Sequence, residues 1–178
     1  MFLPVLGGAL AHAPVLSLDL LKGLKRPLDG GARFGGRRLF GDNKTWRGAI
    51  VVVAGVVVAT VLLSRWDWWW SRLPGGLRDA GPLLYGVLLG AGVVIGELPN
   101  SFVKRQLDIE PGAQLRSPGG ALLSLYDQAD FVPVVWLLLL PLWAMKPWQA
   151  AFVFAVVAAA HLVINVIGYA IGARSAPI

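Results

Sequence analysis

The chain has 178 residues, of which 56% are hydrophobic and only 15% are charged, and its mean hydropathy is +0.65. A composition this apolar excludes an ordinary soluble domain and predicts an integral membrane protein. Cysteine is absent, which excludes disulfides, thiolate metal sites and a cysteine nucleophile.

Five apolar segments are candidate membrane spans, since a helix needs about 20 residues to cross a bilayer about 30 Å thick. The first has no basic segment before it and no clear cleavage site after it, so we interpret it as a retained helix rather than a signal peptide. The predicted fold class is an all-α integral membrane protein with five transmembrane helices. The predicted spans are Pro4 to Leu21, Ala49 to Ser64, Pro82 to Val103, Ala121 to Met145 and Trp148 to Ile171.

The basic residues predict the orientation of these spans. If the Gly/Arg-rich loop between the first two helices is cytoplasmic, 12 of the 16 Lys and Arg residues lie on the cytoplasmic side. The positive-inside rule then predicts an outer N-terminus and an inner C-terminus in a multi-pass plasma-membrane protein. Six tryptophans fall at the outer boundary, as an aromatic belt would: Trp66, Trp68, Trp69, Trp70, Trp143 and Trp148.

Polar residues gather at the cytoplasmic ends of three predicted helices. Their spacing of three or four residues places them on one face of each helix, namely Glu97, Asn100, Ser101 and Lys104 on the third, Asp127 and Asp130 on the fourth, and His161, Asn165 and Tyr169 on the fifth. One alternative is that each simply reaches water at a helix end. An ionised carboxylate within a span costs about 2.5–3.5 kcal/mol, however, so a shared cavity containing cations is favoured.

The loop from Asp29 to Gly48, DGGARFGGRRLFGDNKTWRG, combines six glycines with five cations. Glycines let the backbone approach a ligand, and a helix N-terminus carries partial positive charge, so the loop is a plausible polyphosphate cradle. The spacing is not that of a Walker A loop. The candidates at the start of the second helix are Asn43, Lys44, Thr45 and Arg47, whereas Arg33, Arg37 and Arg38 could bind either phosphate or anionic lipid headgroups.

The carboxylates Asp127 and Asp130, with Glu97 nearby, offer the oxygen ligands that Mg²⁺ prefers. A Mg²⁺ site facing Lys and Arg at a membrane surface indicates a nucleoside triphosphate and phosphoryl or nucleotidyl transfer. The alternative is a small proton- or ion-coupled transporter that uses Glu97, Asp127, Asp130 and His161. That alternative requires ionisable groups near the bilayer midplane, whereas the outer halves of these helices are apolar.

Three stretches in order, GRRLFGDNKTWRG, GELPNSFVKRQLDIEPG and YDQADF, resemble the CDP-archaeol synthase family, which are membrane cytidylyltransferases related to CTP:phosphatidate cytidylyltransferase. The resemblance extends from about Lys25 to Gly172. It implies that residues 1–178 form a single transmembrane cytidylyltransferase domain, which transfers a cytidylyl group from CTP to a membrane lipid phosphate with Mg²⁺ as cofactor. The active site would face the cytoplasm. No nucleic acid partner is expected, and the chain could form an oligomer through small residues such as Gly90 and Gly92.

The resemblance also implies roles for individual residues. Asp127 and Asp130 would hold Mg²⁺, and Lys44 and Arg47 would bind the CTP phosphates. Lys104 and Arg105 would bind phosphate of the nucleotide or the lipid. The same pocket would be lined by Glu97 and Ser101. Whether the lipid carries isoprenoid ether or acyl ester chains is left open.

Overall fold

The computed structural model describes residues 1–109 and 126–170. It is mostly helical, as predicted. It also has one small β-hairpin, which was not predicted. The elements are α1 (Val5–Ser17), a 3-10 helix (Lys22–Leu24), β1 (Arg33–Phe34), β2 (Arg37–Arg38), α2 (Trp46–Leu63), α3 (Asp67–Trp70), α4 (Gly75–Asp79), α5 (Gly81–Gln106), α6 (Val132–Leu139) and α7 (Pro147–Ala170).

Two helices in the described ranges, α2 and α5, are long and apolar enough to cross a membrane. The apolar helices at either end of the chain are shorter, with α1 covering 13 residues and the apolar part of α7 covering Pro147–Val163. The five-span topology and its orientation therefore stay predictions. The first predicted span was too long: α1 ends at Ser17, and the chain turns at Asp19 and Leu21, which both have positive φ.

The fourth predicted span, Ala121 to Met145, is not one continuous helix over its described part. Residues 121–125 lie outside the described ranges; Tyr126 and Asp127 are helical, residues 128–131 form a turn, and α6 covers Val132–Leu139. Pro141 has no N–H to donate, which disfavours a helix beyond Leu140. The chain turns there and runs without regular structure to Lys146. That the segment spans the membrane stays a prediction.

Helix α5 packs between α2 and α6 because glycines on two of its sides allow close approach. A Cβ added at Gly90 would lie 3.0 Å from the Cα of Val53 in α2. A Cβ at Gly92 would lie 2.9 Å from the Cα of Val135 in α6. Small residues of this kind let helix backbones come together. The two glycines that suggested packing within or between subunits therefore serve packing within the chain.

The two short helices α3 and α4 were not predicted, and they change the place of one tryptophan. Trp69 is 7% exposed and joins the buried core together with Leu73 and Leu77. Trp66 and Trp68 are half exposed, and their rings stack at a centroid distance of 5.1 Å. The prediction that all the tryptophans face the membrane boundary is therefore wrong for Trp69.

The glycine-rich loop between α1 and α2 is folded as a hairpin. Its strands pair in antiparallel register, and the two residues that join them, Gly35 and Gly36, have φ values of +58° and +82°. A two-residue hairpin turn of this kind requires positive φ, which glycine adopts without strain. Gly35 and Gly36 therefore serve the hairpin turn, and the role predicted for the loop toward phosphate stays a prediction.

The buried carboxylate of Asp29 holds this hairpin together. It accepts hydrogen bonds from the N–H groups of Gly31 (2.9 Å), Phe40 (3.0 Å) and Gly41 (3.3 Å), and from the guanidinium of Arg38 (2.7 Å). Burial alone would raise the pKa of Asp29, but these hydrogen bonds favour the ionised form and lower the pKa to about 2.

We expect Asp29→Asn to lower the free energy of unfolding by about 2 kcal/mol at pH 7, because the pKa falls from 3.8 to about 2 on folding. A depressed pKa stabilises the fold above about pH 4, and the contribution is lost as the pH falls through about 2. Chemical unfolding in detergent, measured against pH, checks this. Asp42→Asn is the matched control, because its carboxylate is 79% exposed and pairs with the same Arg38. An equal loss in both variants would contradict the prediction.

Candidate active site

The predicted polar face of α5 is confirmed, and it is the part of the helix that faces neighbouring segments. Glu97 accepts a hydrogen bond from Lys44, which precedes α2. Asn100 and Lys104 contact the turn that precedes α6. Ser101 lies beside them and is 9% exposed. One stretch of helix thus joins the two segments that carry the remaining predicted site residues.

Asp127 ends a helical stretch whose described part is Tyr126 and Asp127, Asp130 lies in the turn between that stretch and α6, and their carboxylates converge. The Nδ2 atom of Asn100 donates to Asp127 Oδ1 at 2.5 Å and to Asp130 Oδ2 at 2.8 Å. Lys104 Nζ donates to Asp127 Oδ1 at 2.6 Å. Asp130 is 4% exposed, whereas the side chain of Asp127 is 42% exposed. One carboxylate is thus accessible to water and the other is buried behind it.

The close approach of the α6 turn to α5 depends on Gly96. A Cβ at this position would lie only 2.3 Å from the Cα of Phe131. Phe131 follows Asp130 directly, so the contact places the carboxylate against the next turn of α5, where Asn100 lies. The sequence therefore brings Asp130 to Asn100 through a backbone contact that only glycine permits.

A cavity of about 120 Å³ lies on the other side of Glu97. Its polar wall consists of His12 from α1, Asn43, Lys44 and Thr45 from the segment before α2, and Glu97 itself. Glu97 links this cavity to the carboxylate pair, because it accepts a hydrogen bond from Lys44 and lies on the same face of α5 as Asn100, which donates to both aspartates. The residues on the two sides therefore belong to one charged site.

Two residues predicted to bind substrate have structural partners, and their roles toward substrate stay predictions. Arg47 is buried and donates to Asp19 Oδ1 at 2.7 Å and to the carbonyl of Leu20 at 2.9 Å, which ties the end of α1 to the start of α2. Thr45 caps α2, since its hydroxyl accepts from the N–H of Gly48 at 3.2 Å. Arg47 and Thr45 lie at the start of α2, as predicted. Of the residues predicted there, Lys44 is the one whose side chain bonds to a carboxylate of α5, that of Glu97.

The predicted arginines line a separate open cavity of about 300 Å³ beside the hairpin. Arg37 pairs with Asp108 at 2.5 Å, and Arg38 pairs with both Asp29 and Asp42 at 2.7 Å. Arg105 contributes to the same cavity. Unlike Arg37 and Arg38, it makes no ion pair with a carboxylate of the described residues.

The carboxylate pair fits a magnesium ion that is also bound by substrate. Within the described ranges no group of three or more His, Asp or Glu side chains is positioned to hold a metal ion. Mg²⁺ is usually bound by one or two carboxylates together with substrate phosphates and water. Asp127 Oδ1 and Asp130 Oδ2 both lie within 2.8 Å of the Asn100 nitrogen, so the two carboxylates belong to one site.

Sequence reasoning placed Asn100 on the polar face but gave it no chemical role. The feature that could have indicated a role is its position, three residues after Glu97 and four before Lys104.

His161, which the transporter alternative used, lines an apolar groove of about 430 Å³ between α1 and α7 that reaches Asp127. Its ring contacts Phe131 at a centroid distance of 6.5 Å. The side chain of Asn165 lies outside the described part of the chain.

Known proteins are similar to this chain in sequence and fold over nearly its whole length. The family model described as CDP-archaeol synthase, CarS-like, matches residues 12–178. The CDP-archaeol synthase of Halobacterium salinarum is 35% identical over 89% of this chain and 86% of its own length. That of Thermococcus onnurineus is 33% identical over the same shares. A solved structure of an intramembrane enzyme for archaeal membrane lipids biosynthesis is 29% identical, covers 92% of this chain and 90% of its own, and has a TM-score of 0.62.

The fold, the charged site and these similarities define a class, namely membrane-embedded transferases of lipid biosynthesis. Within that class, the chain belongs to the CDP-archaeol synthase family. The resemblance found in the three sequence stretches is thereby confirmed, and it favours a transferase over the ion-coupled transporter.

Proposed function

We propose that this protein transfers a cytidylyl group from CTP to a membrane lipid phosphate, which yields a CDP-lipid and pyrophosphate. The observation that carries the proposal is the convergence of Asp127 and Asp130 on α5, with Lys104 and Lys44 beside them. Carboxylates that can hold a divalent cation and ammonium groups that can bind phosphate are the components that nucleotidyl transfer requires. Membership of the family supports the choice of CTP and a lipid phosphate as substrates.

In the proposed reaction, an oxygen of the lipid phosphate attacks the α-phosphorus of CTP, and the bond from that phosphorus to the bridging oxygen of pyrophosphate breaks. A phosphate nucleophile is ionised near neutrality, so no general base is needed. Lys44 and Lys104 neutralise negative charge on the phosphates, which makes catalysis a matter of positioning and electrostatics. Arg105 binds phosphate at the edge of the site, whereas Arg47 positions the segment that carries Lys44.

Asp127 and Asp130 would hold Mg²⁺, which when bound supplies positive charge that draws the substrate phosphates together. The exposed side of Asp127 offers the ion a route from water, and the buried Asp130 offers a second ligand behind it. Glu97 and Ser101 line the same space. Asn43 lies on the wall of the cavity next to Lys44 and is proposed to contact the nucleotide.

The apolar groove between α1 and α7 supports a lipid substrate. Its walls include Phe2, Val5 and Leu6 from the N-terminal segment and Val157 from α7, and its polar end lies at Asp127. A phosphate attached to an apolar chain in this groove would therefore lie near Lys104. We propose that the site faces the cytoplasm of a plasma-membrane protein, which the distribution of basic residues supports. We treat residues 1–178 as one domain.

Turnover by the detergent-solubilised protein tests this proposal. CTP, ATP, GTP and UTP are each offered with isoprenoid ether or acyl ester lipid phosphates, with Mg²⁺ or with EDTA, and products are identified by mass spectrometry. We expect a CDP-lipid from CTP with Mg²⁺ and at least about a 100-fold lower yield with EDTA, because charge neutralisation would be lost. Absence of any nucleotidyl-lipid from every pair would overturn the proposed function.

A further inference from the structure

We propose that Asn100 is a positioning residue that holds the carboxylates of Asp127 and Asp130 together for a divalent cation. This inference rests on the proposed function, since it assigns a role toward the metal of the same site. Asn100 itself is not placed as a metal ligand. Its role is to fix the two carboxylates before the ion and the substrate arrive.

The geometry at Asn100 is that of a bridge. Its two amide protons are on one nitrogen, and each is donated to a different carboxylate, at 2.5 Å to Asp127 and 2.8 Å to Asp130. The nitrogen thus holds together two oxygens that belong to residues three apart in the chain. Without the bridge, two like charges in a turn would move apart.

A neutral amide suits this role better than a charged group. A lysine or arginine would neutralise the carboxylates and compete with the metal, and an acid would repel them. Lys104 already compensates Asp127, whereas Asp130 makes no ion pair within 4 Å in the described part of the chain. Among the described residues Asn100 is also the one hydrogen-bond donor to Asp130. The charge of the buried carboxylate is therefore left available to a cation.

The other end of the same amide provides an independent observation. The Oδ1 atom of Asn100 is buried and has no hydrogen-bond partner among the described residues. Buried polar atoms in native proteins are nearly always paired, so an unpaired one requires an explanation. Rotating the amide would place Oδ1 against two carboxylate oxygens, which repel it. The Asn100 nitrogen therefore stays bonded to the two carboxylates while the Asn100 carbonyl oxygen is left without a hydrogen bond. This is expected where the placement of the carboxylates contributes more than one further hydrogen bond.

The backbone places Asn100 for this contact. Gly96, one turn earlier, lies against Phe131, and Pro99 directly precedes Asn100 inside α5. Proline removes one helical hydrogen bond and locally distorts the helix. Asn100 thus lies one turn beyond the close contact of Gly96 with Phe131 and directly after a proline. It is 4% exposed, so neither water nor a mobile side chain can readily replace its amide.

The test measures Mn²⁺ binding to the full-length protein in detergent by electron paramagnetic resonance, with and without CTP. We expect Asn100→Ala to weaken Mn²⁺ binding by at least about 10-fold, as removal of groups that orient metal ligands commonly does. In turnover, the KM for Mg²⁺ should rise by a similar factor, and kcat at saturating Mg²⁺ should fall less. A purely structural role would not raise the KM for the metal. Asn100→Ser, which keeps one hydrogen-bond donor, should give an intermediate loss of Mn²⁺ affinity. It replaces the alanine variant in this test if that variant does not fold.

Thr60→Ala is the matched control, because Thr60 is equally buried but its hydroxyl bonds to Val56 within α2. We expect its Mn²⁺ affinity to equal that of the wild type. If the wild type forms CDP-lipid and Asn100→Ala binds Mn²⁺ as tightly, the positioning role is overturned and the proposed function stands. If the wild type forms no CDP-lipid and binds no Mn²⁺, the proposed function fails and this inference fails with it.

Discussion

Asp130→Asn is expected to lower turnover at least about 100-fold while leaving the fold intact. The substitution keeps the shape of the side chain and its contact with Asn100, because the new amide oxygen can still accept from Nδ2. It removes the negative charge that a divalent cation would need. Since the carboxylate is 4% exposed, its replacement relieves a buried charge and does not create one.

CDP-lipid formation and thermal unfolding in detergent, measured on the same samples, check this prediction. Asp127→Asn should lose activity similarly, and it should also lose some stability because Lys104 is left without its partner. Asp79→Asn is the control, since that aspartate ends the short helix α4, is exposed and lies outside the proposed site. Full activity in both Asp127→Asn and Asp130→Asn would refute the metal assignment.

Gly96→Ala is expected to destabilise the protein and to reduce its activity together. The added methyl group would lie 2.3 Å from the Cα of Phe131 and 2.9 Å from its Cβ, so backbone must move. Overpacking of this kind typically costs about 1–3 kcal/mol, and about 1 kcal/mol corresponds to roughly 2–4 °C in Tm for a chain of this size. The displaced turn carries Asp130 away from Asn100, so turnover should fall with stability.

Thermal unfolding and turnover of Gly96→Ala are compared with those of Gly23→Ala. A Cβ at Gly23 would meet nothing within 4 Å, and this glycine does not have positive φ, so the control should behave as wild type. Wild-type stability in Gly96→Ala would mean that α5 and the α6 turn are not in direct backbone contact.

The features that the sequence predicted well are local. The spacing of Glu97, Asn100 and Lys104 places them on one helical face whatever the tertiary structure, and α5 confirms it. The start of α2 was predicted within three residues, because the apolar run that begins at Ala49 is nearly as long as the helix. Such features follow from the period of the helix and from the length of an apolar run.

The features that were missed depend on contacts between distant segments. Arg47 was predicted to bind phosphate, but its partner is Asp19, which lies 28 residues earlier. The glycines of the hairpin were assigned to a ligand, because nothing in their spacing reveals that Asp29 closes the loop on itself. Trp69 was placed at the lipid boundary, since its sequence neighbours give no sign that it packs with Leu77. A pattern of residue types does not distinguish an internal partner from an external one.

The two lysine–carboxylate pairs of the proposed site also bear on the order in which substrates can enter. Before substrate binds, Lys44 is held by Glu97 and Lys104 by Asp127, and Asp130 adds a third carboxylate. With all three carboxylates ionised, these five groups would carry one more negative charge than positive charge. A bare triphosphate would meet repulsion there, whereas one that carries a divalent cation has two fewer negative charges and would meet less. The enzyme would therefore favour metal-bound nucleotide over metal-free nucleotide before any chemistry begins.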